Sequence, residues 1–154
     1  MVSTKALDEI FHRVKSKYQT VVVDAFIVSK DWKSILMQKR SMERKLFPGF
    51  WDAFGGHLEG SEDLRQALAR EIKEESQMEL TEILEFVHEF EWQDDRSVVN
   101  LQFLCLAKGE AKYEENLVTE IRWLSKSDLN DLASSLTGQM REGITRAFAY
   151  LKTD

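Results

Sequence analysis

The stretch from Gly56 to Met78, GHLEGSEDLRQALAREIKEESQM, constrains this chain more than any other. Five residues separate Gly56 from Glu62, and seven more lead to Arg70-Glu71-Ile72-Lys73-Glu74-Glu75. Leu64, Leu68 and Ile72 recur at helical spacing, so the segment reads as a helix whose apolar stripe faces a core. Ser61 is the expected N-cap, with Glu62 and Asp63 in the favourable first turn, and the helix runs to about Gln77. Glu71, Glu74 and Glu75 then stand at i, i+3 and i+4, on one face. Like charges at that spacing oppose helix formation and raise one another's pKa. A hard divalent cation relieves the conflict, since oxygen ligands are what Mg²⁺ and Mn²⁺ prefer.

Composition narrows the surroundings of this helix. The chain's 154 residues suit one domain with one core, and 43% hydrophobic with 31% charged residues is ordinary for a globular protein. A formal net charge of −6 disfavours a nucleic-acid scaffold role. Small anionic substrates stay open, because a bound metal reverses the local field. Cys105, the only cysteine, lies in the apolar run LQFLCLA and reads as a buried inert thiol. His12, His57 and His88 each lack a second His or Cys at ligand spacing, which argues against zinc. No apolar run reaches the length of a membrane span, and the charged start MVSTKALDEIFHRVK lacks a signal-peptide core, so a cytoplasmic location is expected.

The remaining elements alternate between two periods. Residues 3–16 read as a helix capped by Ser3 or Thr4, with Ala6, Leu7, Ile10, Phe11 and Val14 on its apolar face. YQTVVVDAFIVS (18–29) reads as a buried strand that forms a hairpin with SILMQKR (34–40) through Asp31-Trp32-Lys33. A loop containing Pro48 and Gly49 follows. Trp51 to Phe54 reads as a short strand leading into Gly55-Gly56, with a second near His57-Leu58. Strands over 79–92 and 96–107 meet at a turn of Gln93-Asp94-Asp95. A strand over 118–124, a short helix near 126–134 capped by Ser125, and a helix over 138–151 complete the chain. Strands mixed with helices of these lengths suggest an α/β sandwich.

From Gly56 onward the spacing resembles the Nudix box: Gly, five residues, Glu, seven residues, Arg-Glu-apolar-any-Glu-Glu, then Gly and an apolar residue. Gly56, Glu62, Arg70, Glu71, Ile72, Glu74, Glu75 and Met78 match. Gln77 departs from the pattern, standing where the family carries glycine to leave the helix at positive φ. WDAFGGHLEG resembles the Trp-containing strand and double glycine before the box, and EIRWL (120–124) resembles the late strand. The resemblance spans about Gln19 to Leu151 and leaves an extra N-terminal helix within 1–17.

As a member of the MutT-like Nudix hydrolases, the chain is expected to form one α/β/α sandwich over 1–154 around a central mixed β-sheet. The resemblance implies a pyrophosphohydrolase cleaving a phosphoanhydride bond in a small nucleoside diphosphate derivative. Glu71, Glu74, Glu75 and the Gly55 carbonyl would hold Mg²⁺ or Mn²⁺. Glu71 or Glu75 would be the catalytic base, with Glu114, Glu115 and Glu120 as later-segment alternatives. Arg40, Arg44, Trp51 and Gly56 would contact substrate, Lys39 and Lys45 add charge nearby, and Phe47 and Phe50 could stack a base. Gly56, Glu62 and Arg70 would shape the box, although Arg70 and Glu74 also fit a plain i,i+4 surface pair. Two other functions compete: an isopentenyl-diphosphate isomerase, which needs a cysteine beside the double glycine, and a non-catalytic nucleotide-binding module. The extra helix packs either on its own sheet or on a second subunit in a homodimer.

Overall fold

The computed structural model describes residues 1–152. The β-branched run expected from 18 forms β1 (Thr20–Val28), and its hairpin partner forms β2 (Ser34–Arg40), pairing Ile27 with Leu36. After the proline loop the chain makes two strands: β3 (Trp51–Asp52) on β2, and β4 (Phe54–His57) on β1. The expected single strand over 51–54 is thus broken at Ala53. Gly55 and Gly56 lie inside β4, because their backbones pair with Asp24 and Val23. Gly55 tolerates no side chain there: a Cβ would stand 1.9 Å from the Val23 carbonyl oxygen.

The box helix α2 spans Leu64–Ser76. Its N-cap is Asp63, two residues beyond the expected Ser61. The Asp63 carboxylate accepts from Gln66 N at 2.8 Å, and the Gln66 side chain accepts from Asp63 N at 2.9 Å. That reciprocal pair satisfies two free amides at once, which a lone serine two residues earlier cannot do. Leu64, Leu68 and Ile72 are buried as their spacing requires. At the other end Gln77 takes the left-handed conformation, φ 63° and ψ 9°, and its amide donates to Lys73 O. The exit geometry expected of glycine is therefore kept by a residue with a Cβ, at steric cost.

Two long strands follow, β5 (Glu79–Gln93) and β6 (Ser97–Lys108), joined at the expected acidic turn, where Asp94 accepts from Arg96 N. β5 carries three register shifts against β6, near Leu80, Ile83 and Phe86. Each moves the side-chain alternation out of phase, which is why its sequence alternates poorly. β7 (Val118–Ser125) pairs with β2. α3 (Asp128–Asp131) is shorter than the expected 126–134 helix and gives way to a 3₁₀ turn over Ala133–Ser135. Ser125 does not cap it. Instead the Asp128 carboxylate reaches back to Ser125 N and Oγ at 2.8 and 3.0 Å. α4 (Gly138–Phe148) starts on a Thr137 cap and stops three residues before the expected 151.

The seven strands form one mixed sheet, in the order β3-β2-β1-β6-β5 with β4 on β1 and β7 on β2. Only the β1–β6 contact is parallel among the pairings of this sheet. One face carries α2 and the N-terminal helix α1 (Thr4–Lys15), closing a core that includes Val23, Ile27, Leu68, Ile72 and Phe103. The other carries α4, with Phe26, Leu104, Ile144 and Phe148 packed beneath it. This is the expected α/β/α sandwich. α1 packs on its own sheet: Leu7 and Val14 are buried, and Arg13 makes a two-pronged contact with Glu89 on β5.

Gln77→Gly is expected to stabilise the fold by about 0.5–1 kcal/mol, because glycine removes the Cβ clash at positive φ. That corresponds to a rise of about 2 °C in thermal midpoint. Gln77→Val, branched at Cβ, should lower it. A midpoint several degrees lower in Gln77→Gly than in wild type would contradict this account of the helix exit.

Candidate active site

The site is built where the last turns of α2 meet β4 and β2. Glu75 points into the sheet. Its Oε1 accepts from Gly55 N at 2.6 Å, and its Oε2 accepts from the Gln38 side-chain amide at 3.0 Å. Gln38 also donates to Ala53 O at 3.0 Å, so one amide ties β2, the β3–β4 link and α2 together. Burial pushes the Glu75 carboxyl up to about 8, against the pull of the two donors, with Glu71 and Asp52 adding repulsion. The donors favour the ionised form and lose to desolvation.

Glu71 lies one turn earlier and faces Gly56. A Cβ on Gly56 would stand 2.5 Å from Glu71 Oε1, so a side chain here would displace the carboxylate from its place beside the strand. Glu71 is raised above its ordinary value, chiefly by burial, with Arg70 opposing. Arg70 is the hub of this corner. Its guanidinium donates to Glu62 at 2.7 and 3.0 Å, to Glu71 at 2.8 Å, to Glu74 at 3.2 Å and to His57 O at 2.9 Å. Glu62 accordingly titrates below the usual range, with the Arg70 hydrogen bond as the main cause. The box-shaping and surface-pair readings of Arg70 both describe it: the i,i+4 contact to Glu74 is one bond among five.

Glu74 behaves differently from its two neighbours. Its side chain is 58% exposed and leans toward Arg70. The three glutamates on this face take different partners. Arg70 draws Glu71 and Glu74, and the Gly55 amide draws Glu75. Among the described residues, no group of three or more His, Cys, Asp or Glu side chains is set to surround a metal ion. The donor chemistry nevertheless fits a hard cation. Glu71 and Glu75 are partly buried carboxylates beside a glycine pair, and a cation would favour their ionised forms.

The substrate-contact candidates separate. Gly56 lies at the site. Arg40 is engaged, donating to Leu46 O at 2.8 Å and to Asp52 at 3.3 Å, so it is not a loose loop cation. Arg44 lies near enough for its charge to act on Asp52. Trp51 is 3% exposed, with the Arg122 guanidinium 5.1 Å from its ring centre, so it is packed as core and not open to stack a base. Phe47 is exposed and touches Phe50. Glu120 is taken by Arg122 at 2.7 Å, while Glu114 and Glu115 lie in the exposed segment before β7.

Sequence reasoning passed over a second set of polar groups. Asp24, in the middle of β1, is buried, and its Oδ2 accepts from Asn100 at 3.0 Å and Gln102 at 3.1 Å. Burial and the nearby Asp52 raise its pKa, and burial raises Asp52 in turn against Arg40. The signal was a lone carboxylate inside the apolar run TVVVDAFIV, a placement that needs buried partners. Gln38, Asn100 and Gln102 carried no comparable signal, because a polar residue in a strand is usually solvated.

Residues 18–146 match the NUDIX domain family, and the chain belongs to that family. It is 28% identical over 134 residues to an uncharacterized Nudix hydrolase of Nostoc sp., covering 84% of this chain and 76% of that protein. It is 33% identical over 113 residues to nucleoside triphosphatase NudI of Enterobacter sp., covering 63% of this chain and 77% of the relative. A MutT NUDIX hydrolase from Burkholderia pseudomallei has the same architecture, with a TM-score of 0.69 and 26% identity over 82% of this chain and 96% of that one. The protein is a MutT-like Nudix hydrolase.

The Glu75 environment sets a pH dependence. Without divalent ions, the folded protein holds on Glu75 a proton that the unfolded chain releases near 4.5. Its contribution to stability is therefore complete below that pH and is lost as pH rises towards about 8. The neutral isostere Glu75→Gln loses this dependence. In chelator, the midpoint of Glu75→Gln relative to wild type is expected to increase between about pH 5 and about pH 8. A difference that stays flat or shrinks would contradict the buried-carboxyl account.

Proposed function

We propose that this protein hydrolyses a phosphoanhydride bond in a small nucleoside diphosphate derivative, with a nucleoside triphosphate as the leading class. The arrangement of Glu71 and Glu75 around the side-chain-free edge at Gly55 and Gly56 carries this reading. The NudI relative, named as a nucleoside triphosphatase, supports the substrate class. A cytoplasmic location accords with this substrate, and no helix among the described residues is long and apolar enough to cross a membrane.

Glu71, Glu74, Glu75 and the Gly55 carbonyl are the residues that would hold Mg²⁺ or Mn²⁺. Glu74 and Glu71 would turn from Arg70 to do so. When bound, such an ion neutralises diphosphate oxygens and lowers the pKa of coordinated water. The chain supplies the rest. Glycine at 56 leaves the backbone open to close approach by a phosphate. Arg70 holds Glu71 against the strand through its bond to His57 O, and Gln38 with Gly55 fixes the direction of Glu75. Glu75, held by Gly55 N and Gln38, is the first candidate for the general base. Glu71 shares the raised pKa and is the second candidate. Arg44 is the loop cation best suited to a phosphate, since Arg40 is committed to Asp52.

An isopentenyl-diphosphate isomerase would need a thiol beside the double glycine. Cys105 is fully buried on β6, its thiol pushed upward by burial, which disfavours that chemistry.

Glu71→Gln and Glu75→Gln are each expected to lower kcat by at least ~100-fold with the fold retained. The check is a hydrolysis screen over nucleotide derivatives with Mg²⁺ and with Mn²⁺, following release of phosphate, pyrophosphate or nucleoside monophosphate. Wild-type turnover in both variants would refute the assignment. Tight nucleotide binding without turnover in wild type would favour a binding module instead.

A further inference from the structure

The extra helix α1 makes a cleft that the hydrolytic reading does not use. The cleft has a volume of about 630 Å³, within the ~300–1,000 Å³ typical of small-molecule sites. It lies between the end of α1, the start of β1, the start of β6 and the segment that follows Gly56. Phe11 and Tyr18 supply aromatic walls, Leu58 an apolar one, and Lys15 and Arg96 supply positive charge.

The two kinds of group are held differently. The aromatic ones are anchored: Phe11 packs against the core, and the Tyr18 hydroxyl donates to Glu91. The cations make longer contacts. Lys15 Nζ sits 5.2 Å from the centre of the Phe11 ring, and Arg96 reaches Asp94 and Asp95 only at 3.4 and 3.6 Å. Among the described residues, the one carboxylate lining the cleft, Glu62, accepts two bonds from Arg70. Aromatic side chains beside two cations suit a ligand with a flat ring and a compact anion.

We propose that this cleft is a second ligand site that takes a nucleoside monophosphate, its base against Phe11 and Tyr18 and its phosphate between Lys15 and Arg96. Nucleoside monophosphates are also among the products of the proposed hydrolysis, but occupancy of the cleft does not depend on that reading.

The test is a titration of the full chain with AMP, followed by amide NMR shifts in chelator, so that the box glutamates cannot hold the phosphates through a metal. Adenosine and inorganic phosphate are separate arms. Saturable shifts are expected at residues 11–20, 57–62 and 96, with AMP binding at least about tenfold more tightly than either fragment. Lys15→Glu with Arg96→Glu should weaken AMP about tenfold or more, and Lys15→Gln alone by less. The proposal is overturned if millimolar AMP gives no saturable shift. It is equally overturned if the shifts fall only around Gly55, Glu71 and Glu75, or if neither the charge reversal nor Lys15→Gln changes the affinity.

Discussion

The docking of α2 onto β4 is the contact on which the site depends. Two bonds make it: the Glu75 carboxylate takes the Gly55 amide, and the Arg70 guanidinium takes the His57 carbonyl. Strand and helix are held within reach of each other at two points two residues apart on the strand. The absence of side chains at Gly55 and Gly56 is what allows the approach, since a Cβ at either would enter backbone or carboxylate space. Leu68 and Ile72 bury the opposite face of the same helix. Exchanging either for alanine would remove about 2–5 kcal/mol of packing from the element that carries every box glutamate.

This contact concentrates negative charge in a dry place. Glu71, Glu75, Asp24 and Asp52 all titrate above their ordinary values, with desolvation as the first cause in each. The molecule manages the conflict with neutral donors and arginines, Arg40 standing beside Asp52. Gln38, Asn100 and Gln102 donate to the buried oxygens, and Arg70 stands beside Glu71. Arg70 therefore does more than join strand and helix: it also pairs with Glu71 and Glu74. A divalent ion would exchange with this internal pairing, and the Glu62 and His57 bonds would keep Arg70 in place while it did.

Much of the fold was legible because burial enforces periodicity. Leu64, Leu68 and Ile72 revealed α2, and the β-branched run after Thr20 revealed β1. Where the reading failed, local chemistry had an alternative. Asp63 displaced Ser61 as cap because Gln66 could answer it, and Asp128 reversed the expected role of Ser125. Glycine's low strand preference hid the pairing of Gly55 and Gly56 with β1. The positions of the box residues could be read from spacing, but their orientation could not. Spacing puts Glu74 beside Glu71 and equally beside Arg70, and rotamers decide between them. Asp24 was visible as an isolated charge in an apolar strand, yet its partners lie 76 and 78 residues away, where no local pattern points.

The claim beneath all of this is that the half-buried carboxylates Glu71 and Glu75 on α2 bind a divalent cation. Mn²⁺ binding measured by electron paramagnetic resonance, in wild type and in Glu71→Gln and Glu75→Gln, tests it without reference to any substrate. Saturable binding in wild type, weakened at least about tenfold in each variant, is the expected result. Equal Mn²⁺ affinity in all three proteins would contradict the account.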